Sequence, residues 1–142
     1  MKAELGQNTD FEEILNLRYR ILREPWSQSR ESATDELEEF SVNAIVRSEE
    51  GELVACGRLQ KNSEEVGQIR YMAVDKNWQS RGLGKLILAK LEEEAGKMGL
   101  KKIELQAREN ALDFYKSQGY RVEEKTFLLW SQIQHYRMGK EI

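Results

Sequence analysis

One stretch of this chain limits its folding choices more than any other: Ile69-Arg-Tyr-Met-Ala-Val-Asp-Lys-Asn-Trp-Gln-Ser-Arg-Gly-Leu-Gly-Lys85. Its first half is apolar and β-rich. Its second half carries two glycines and two cations and opens onto a run with helical periodicity. A strand that meets a helix through such a turn makes an anion site. The first N–H groups of a helix have no intrahelical partner, and the helix dipole adds partial positive charge at the same point. Gly82 and Gly84 allow close approach of the backbone and positive φ, while Arg81 and Lys85 add full charge. The turn is expected to hold the pyrophosphate of a nucleotide-like cofactor.

The elements around it follow from periodicity. Phe11, Ile14, Leu15, Arg18, Ile21 and Leu22 fall near helical spacing, Asp10 with Glu13 resembles a capping box, and Pro25 stops that helix at or before Glu24. Residues 26 to 39 are polar and acidic without a period, either a lid or binding loop or a plain surface connection. Val42–Arg47 and Glu52–Leu59 around Gly51 read as a hairpin, and Val66–Val74 as a third antiparallel strand whose apolar end is buried on both faces. Leu83, Ile87, Leu91, Ala95 and Met98 mark an amphipathic helix closed by Gly99. Lys101–Ala107 alternates as a strand, so strand, helix and strand form a parallel, right-handed crossover. A short helix at Ala111–Gln118, capped by Asn110 and closed by Gly119, precedes strands at Tyr120–Lys125 and Phe127–Met138. The fold class is α/β on one mixed sheet.

The bulk composition narrows the function classes. With 142 residues, 39% hydrophobic and 33% charged, the chain has material for one core, and no linker or repeat divides it. One domain over residues 1–142 is expected. A net charge of −3 argues against a general nucleic-acid binder. No apolar run approaches the roughly 18 residues of a membrane span, and Met1 to Gly6 has no signal-peptide core. A cytoplasmic protein without membrane or nucleic-acid partners is expected. Cys56 is the single cysteine and sits in an apolar run, which suits a buried small hydrophobe.

Two familiar phosphate loops do not fit. A Walker A loop needs glycine where Gln79 stands and Ser or Thr where Leu86 stands. A dinucleotide fingerprint needs Gly or Ala at Ile87. What remains is Gln79-Ser-Arg-Gly-Leu-Gly84 after Met72-Ala-Val74. In that setting the chain resembles the GCN5-related N-acetyltransferases (GNAT), whose central motif is Gln/Arg-x-x-Gly-x-Gly/Ala after such a triplet. A second match lies at Asn110-Ala-Leu-Asp-Phe-Tyr-Lys-Ser-Gln-Gly-Tyr120, where Phe114-Tyr115 and Gly119-Tyr120 fall in place although the first spacing is shorter. The order of elements matches from about residue 10 to the end. Gln134-His-Tyr-Arg-Met138, Gly57-Arg-Leu59 and Leu22-Arg-Glu-Pro25 resemble the small ElaA-like branch, with Gln134 where proline is usual.

The resemblance implies a GNAT fold with helices on both faces of the sheet and acetyl transfer from acetyl-CoA to an amine, without a metal. Main-chain groups of Met72, Ala73 and Val74 would hold the pantetheine arm and the thioester carbonyl. The turn of Gln79, Ser80, Arg81, Gly82, Leu83, Gly84 and Lys85 would take the pyrophosphate, with Arg81 or Lys85 supplying charge. Asn110 would touch the pantetheine or serve only as a helix cap. Tyr115 would protonate the departing thiolate, or else anchor the core. Family members often place a glutamate base near Gln68, which cannot act as one, so Glu65, Glu104 and His135 remain open. The segment from Arg18 to Phe40 would wall the acceptor cleft, its acids Asp35, Glu36, Glu38 and Glu39 either attracting a cationic amine or forming a solvated surface. The acceptor is a small-molecule or protein amine. A non-catalytic acyl-CoA sensor on the same fold is the alternative, and family analogy admits a homodimer.

Overall fold

The periodicities resolve, in a computed structural model that describes residues 1–142, into seven strands and three α-helices. In chain order these are β1 (Glu4–Leu5), α1 (Phe11–Leu22), β2 (Val42–Arg47), β3 (Leu53–Lys61), β4 (Val66–Val74), α2 (Leu83–Lys97), β5 (Lys102–Arg108), α3 (Leu112–Ser117), β6 (Arg121–Leu129) and β7 (Ile133–Glu141). They build one sheet in the order β1-β2-β3-β4-β5-β7-β6, in which only β4 and β5 run parallel. Alternation along β2 sends Ala44 and Val46 toward α2 and Ile45 toward α1, so the two helices cover opposite faces. α2 buries Leu83, Ile87, Leu88, Leu91 and Ala95; α1 buries Ile14 and Leu17 against Ile45, Cys56 and Ala73.

Several local expectations give way. Asp10 does not cap α1; it accepts the Gln7 N–H at 2.8 Å and pairs with Arg47 at 2.7 Å, closing the turn before the helix. Asn110 caps nothing: it lies in a 3-10 turn, Glu109–Ala111, and α3 starts two residues later. The break between the last two strands sits at Trp130 and Ser131, which take left-handed φ of 51° and 56°. Leu129 pairs with Ile133, so Trp130, Ser131 and Gln132 connect the strands, and none of them is the glycine that usually takes positive φ in a hairpin loop. Thr126, where the sequence suggested the break, marks an irregularity within β6 instead. Met72 and Val74 are only partly buried, so the end of β4 is not sealed on both faces. β1 is too short to show a period.

Two distortions of β4 position the site. Arg58 pairs with Arg70, but Cys56 pairs with Ala73, so β4 has one residue more than β3 in this interval. The extra residue is accommodated by Tyr71 at φ 56°, in the left-handed region where a bulky side chain is strained. Gly57 lies opposite: a Cβ there would come within 2.5 Å of Met72 Sδ and 2.7 Å of Ile87. Beyond this bulge β4 parts from β5, whose pairing runs only from Val66–Lys102 to Ile69–Leu105. A wedge opens between the two strands.

Candidate active site

Asp75 N–H donates to Val54 C=O at 2.8 Å, and Ala73 is in register with Cys56. By the antiparallel alternation the main-chain groups of Met72 and Val74 therefore point away from β3, into the wedge. A side-chain amide of Gln79 donates to Val74 C=O at 3.1 Å, which fastens the following turn to the strand. The Asp75 carboxylate accepts from Asn77 N–H and Arg20, both at 2.9 Å, which fixes the start of that turn. Ser80 and Gly82 take φ of 64° and 79°. The first helical bond of α2 is Leu86 N–H to Gly82 C=O, so the N–H groups of Leu83, Gly84 and Lys85 lack helical partners. No side chain caps this end. Arg81 lies over the Trp78 ring at 4.7 Å beside these donors. Gly84 is helical; a Cβ there would meet Phe114 at 3.1 Å, so this glycine admits α3 against the N-terminus of α2.

That packing carries Tyr115 into the wedge. It lines a cleft of about 520 Å³ with Met72, Tyr71, Arg108 and His135. Its ring meets Phe114 and Tyr120 edge-on at 5.0 and 6.0 Å, and its hydroxyl has no protein partner. Burial pushes its pKa up to about 12, against a smaller opposing effect of Arg108. His135 Nδ1 lies 3.0 Å from Ile133 C=O, which makes Nδ1 the protonated nitrogen and leaves the Nε2 lone pair free. Burial and the Arg108 charge hold this imidazole below its ordinary pKa. Its ring stacks on Phe127 at 4.6 Å.

The opposite wall is charged. Arg18 and Arg58 are completely buried and share Glu38 at 2.8 and 3.1 Å; Asp35 binds Arg58 at 2.8 Å and Arg70 at 2.9 Å. Tyr71 lies among guanidiniums, with Arg18, Arg58 and Arg70 4.6, 4.9 and 4.8 Å from its ring. Burial works to raise the Glu38 carboxyl, but hydrogen bonds from Arg18 and Asn43, with the Arg18 and Arg58 charges, bring it down to about 2. Asp35 is likewise held below its usual range by Arg58. Residues 26–39 are thus tied to the sheet, and two of their acids are spent on internal pairs. Glu36 and Glu39 are exposed, and no carboxylate lines the cleft.

The model of the acetyltransferase (GNAT) family matches residues 11–120. The uncharacterized N-acetyltransferase YjcF of Bacillus subtilis is 30% identical over 142 residues, 99% of this chain and 100% of that protein. The chain belongs to the GNAT family. Two solved structures share its fold. An aminoglycoside 6'-N-acetyltransferase complexed with coenzyme A is 15% identical, with a TM-score of 0.81 over 99% of this chain and 97% of the other. A GNAT acetyltransferase from Elizabethkingia anophelis with acetyl-CoA bound is 16% identical, with a TM-score of 0.79 over 99% and 97%.

In this GNAT acetyltransferase most of the expected site residues converge. Met72, Val74 and Tyr115 border the wedge, and Gln79 to Lys85 form the turn at its end. Ala73 faces the α1 side of the core, and Leu83 is buried under α2. Asn110 is exposed and does not line the cleft. Of the three base candidates, Glu65 is exposed at the start of β4, and Glu104 lies 3.6 Å from Arg137; neither lines the cleft, whereas His135 does. Sequence reasoning placed the Arg18–Phe40 segment at the cleft without singling out Arg23 or Trp26 in it, and missed Arg108 and Trp130. Arg108 stacks on Trp26 at 4.4 Å and Arg23 over Trp130 at 5.3 Å. No local pattern marks them; only the fold brings these segments together. Of the three segments that resemble the ElaA-like branch, Arg23 and His135 line the cleft, while Arg58 is buried and holds Asp35.

Proposed function

We propose that residues 1–142 act as one domain that transfers the acetyl group of acetyl-CoA to a primary amine by direct attack in a ternary complex. The observation that carries this reading is Tyr115, an unpartnered hydroxyl with a pKa of about 12 at the mouth of a parted strand pair. The freed main-chain groups of Met72 and Val74 suit a pantetheine arm that would lie along β4 as a strand does. The Val74 N–H also suits a thioester oxygen gaining charge, where one such donor is worth about 3 kcal/mol. The donors of Leu83 to Lys85, with Arg81 beside them, suit a pyrophosphate. Two proteins of the same fold solved with coenzyme A or acetyl-CoA bound support the choice of donor.

Tyr115 acts as the acid: it stays protonated at neutral pH and can deliver a proton to the leaving sulfur. His135 acts as the base: it lines the cleft, is neutral near pH 7 and keeps an unprotonated Nε2 that can take the proton an ammonium must lose before attack. An acyl-CoA sensor would need neither group.

The test has two stages. Coenzyme A or acetyl-CoA at 100 times its dissociation constant should stabilise the fold by about 2.7 kcal/mol, and ATP or NAD should not. Thiol release over a panel of amines should then show turnover. A response to ATP or NAD but not to CoA sinks the donor assignment; CoA binding without thiol release for any amine favours the sensor.

A further inference from the structure

The chain has eleven arginines. Eight of them hold a carboxylate at ion-pair distance. The three that do not are Arg81, Arg23 and Arg108. Arg81 stands at the glycine turn, where a pyrophosphate accounts for its charge. Arg23 and Arg108 stand together in the cleft, and both donate to one carbonyl oxygen, that of Leu22, at 3.0 and 3.3 Å. Leu22 is the last residue of α1, so this carbonyl carries only the partial negative charge of a helix C-terminus. It accepts hydrogen bonds but does not neutralise two cations.

The remaining partners do not balance the charge either. Arg23 otherwise donates to Ser32 C=O at 3.2 and 3.1 Å, and Arg108 makes no further hydrogen bond. A guanidinium has five N–H donors, so most of those on Arg108 are unused. They are not sealed in the core: the buried, unpartnered guanidinium nitrogens of the protein are Nε of Arg18 and of Arg58. Arg23 lies over the Trp130 ring and Arg108 over the Trp26 ring, which restricts where the two guanidiniums can sit, and both residues line the cleft. In a chain with a net charge of −3, this cleft is lined by arginines and a histidine, without an acid.

We propose that the acceptor amine carries an anionic group, a carboxylate or a phosphate, which Arg23 and Arg108 receive. This rests on the acetyltransferase reading and names the acceptor class of the same site. Burial and their mutual repulsion lower the pKa of Arg108, and burial lowers that of Arg23, a penalty that a bound anion relieves. The paired forks match an oxyanion bidentately. The same charges disfavour a purely cationic acceptor.

The test compares acceptors that differ only in the anion, with rates referred to the free-amine form: alanine against alaninamide, and phosphoethanolamine against ethanolamine. In the wild-type protein, kcat/KM for the anionic member of at least one pair should exceed its neutral twin by about 100-fold, as two charge-assisted hydrogen bonds imply. The pair that shows the preference identifies carboxylate or phosphate. Arg23→Gln and Arg108→Gln, checked for unchanged melting, should each cut that ratio at least about tenfold, while Arg30→Gln, paired with Glu12 outside the cleft, should leave it alone. If neutral and anionic twins are acetylated equally well, or the neutral ones better, this inference is overturned and the transferase reading stands. If CoA binds and no amine is acetylated, the transferase reading falls and takes this inference with it. The wild-type ratios decide the question even if a variant fails to fold.

Discussion

Met72 to Lys85 supplies one side of the wedge from consecutive residues, of which Met72 alone lines the cleft, and does so almost wholly with main chain: a bulged strand end, a turn with positive φ, and helix N–H groups without partners. The facing wall draws on Arg23, Arg108, Trp130 and His135, from four separate segments, and works through side chains. The first wall is indifferent to most side-chain identities and is held by hydrogen bonds within the sheet and turn. The second depends on buried ion pairs, chiefly Glu38 with Arg18 and Arg58, and on stacked guanidiniums. With the proposed roles, a protein so divided would keep its donor while changing its acceptor, because Arg23, Arg108 and His135 are not among the residues that shape the first wall.

The comparison can be broken where the walls meet. Tyr115→Phe should lower kcat by about 100- to 10,000-fold with little change in melting temperature, since the lost hydroxyl has no partner in the protein. A drop in stability without a rate loss would make Tyr115 a core anchor. Glu38→Ala should destabilise the fold by about 3–5 kcal/mol in urea unfolding, because it leaves two buried guanidiniums short of a counter-charge. CoA affinity of the folded fraction should survive if the two walls are independent. His135→Gln should lower kcat/KM by about 100-fold and remove the acid limb of the pH–rate profile. That limb has its midpoint below the ordinary histidine value: the imidazole is neutral and active above it, and activity falls as pH drops through it. Tyr115, titrating near 12, should add no alkaline limb below pH about 10.

Smaller effects sharpen the contrast. Glu38 titrates from 4.5 when unfolded to about 2 in the fold. Its contribution is therefore complete above about pH 4.5 and is lost as pH falls toward 2. Allowing for solvent screening, this is on the order of 1–2 kcal/mol, readable as falling urea midpoints over that window. Arg81→Ala should weaken CoA binding only about three- to fivefold, an exposed charge being worth less than about 1 kcal/mol. A loss of hundredfold or more would show that side chains, not backbone, dominate the donor wall.

The same division explains what could be read in advance. The strand, glycine turn and helix of residues 69–85 are adjacent in sequence, so their periodicity and turn residues announced them. Tyr115 was legible through its neighbours in the second motif, but the reason for Gly84 was not: its clearance against Phe114 exists only when α3 docks on α2. Arg18 fell on the apolar period of α1 and proved wholly buried, because Glu38, Asn43 and the Ala33 carbonyl meet it there. The acids of residues 35–39 looked like bait for a cation or a solvated surface. Their distant arginine partners, Arg18, Arg58 and Arg70, decide that two of them face inward. Pairing between residues far apart in the chain leaves no local pattern to read.

The extra residue at Tyr71 and Met72 has a consequence for how this site tolerates change. What opens the wedge is a count, one residue more in β4 than in β3 between two fixed pairings. Point substitutions preserve the count, so the donor wall can pass through wide sequence divergence unaltered. A single deletion there would restore an even ladder between β3 and β4 and remove the bulge at which the strand is distorted. Lineages descended from such a chain should show many replacements along this strand and almost no change in its length.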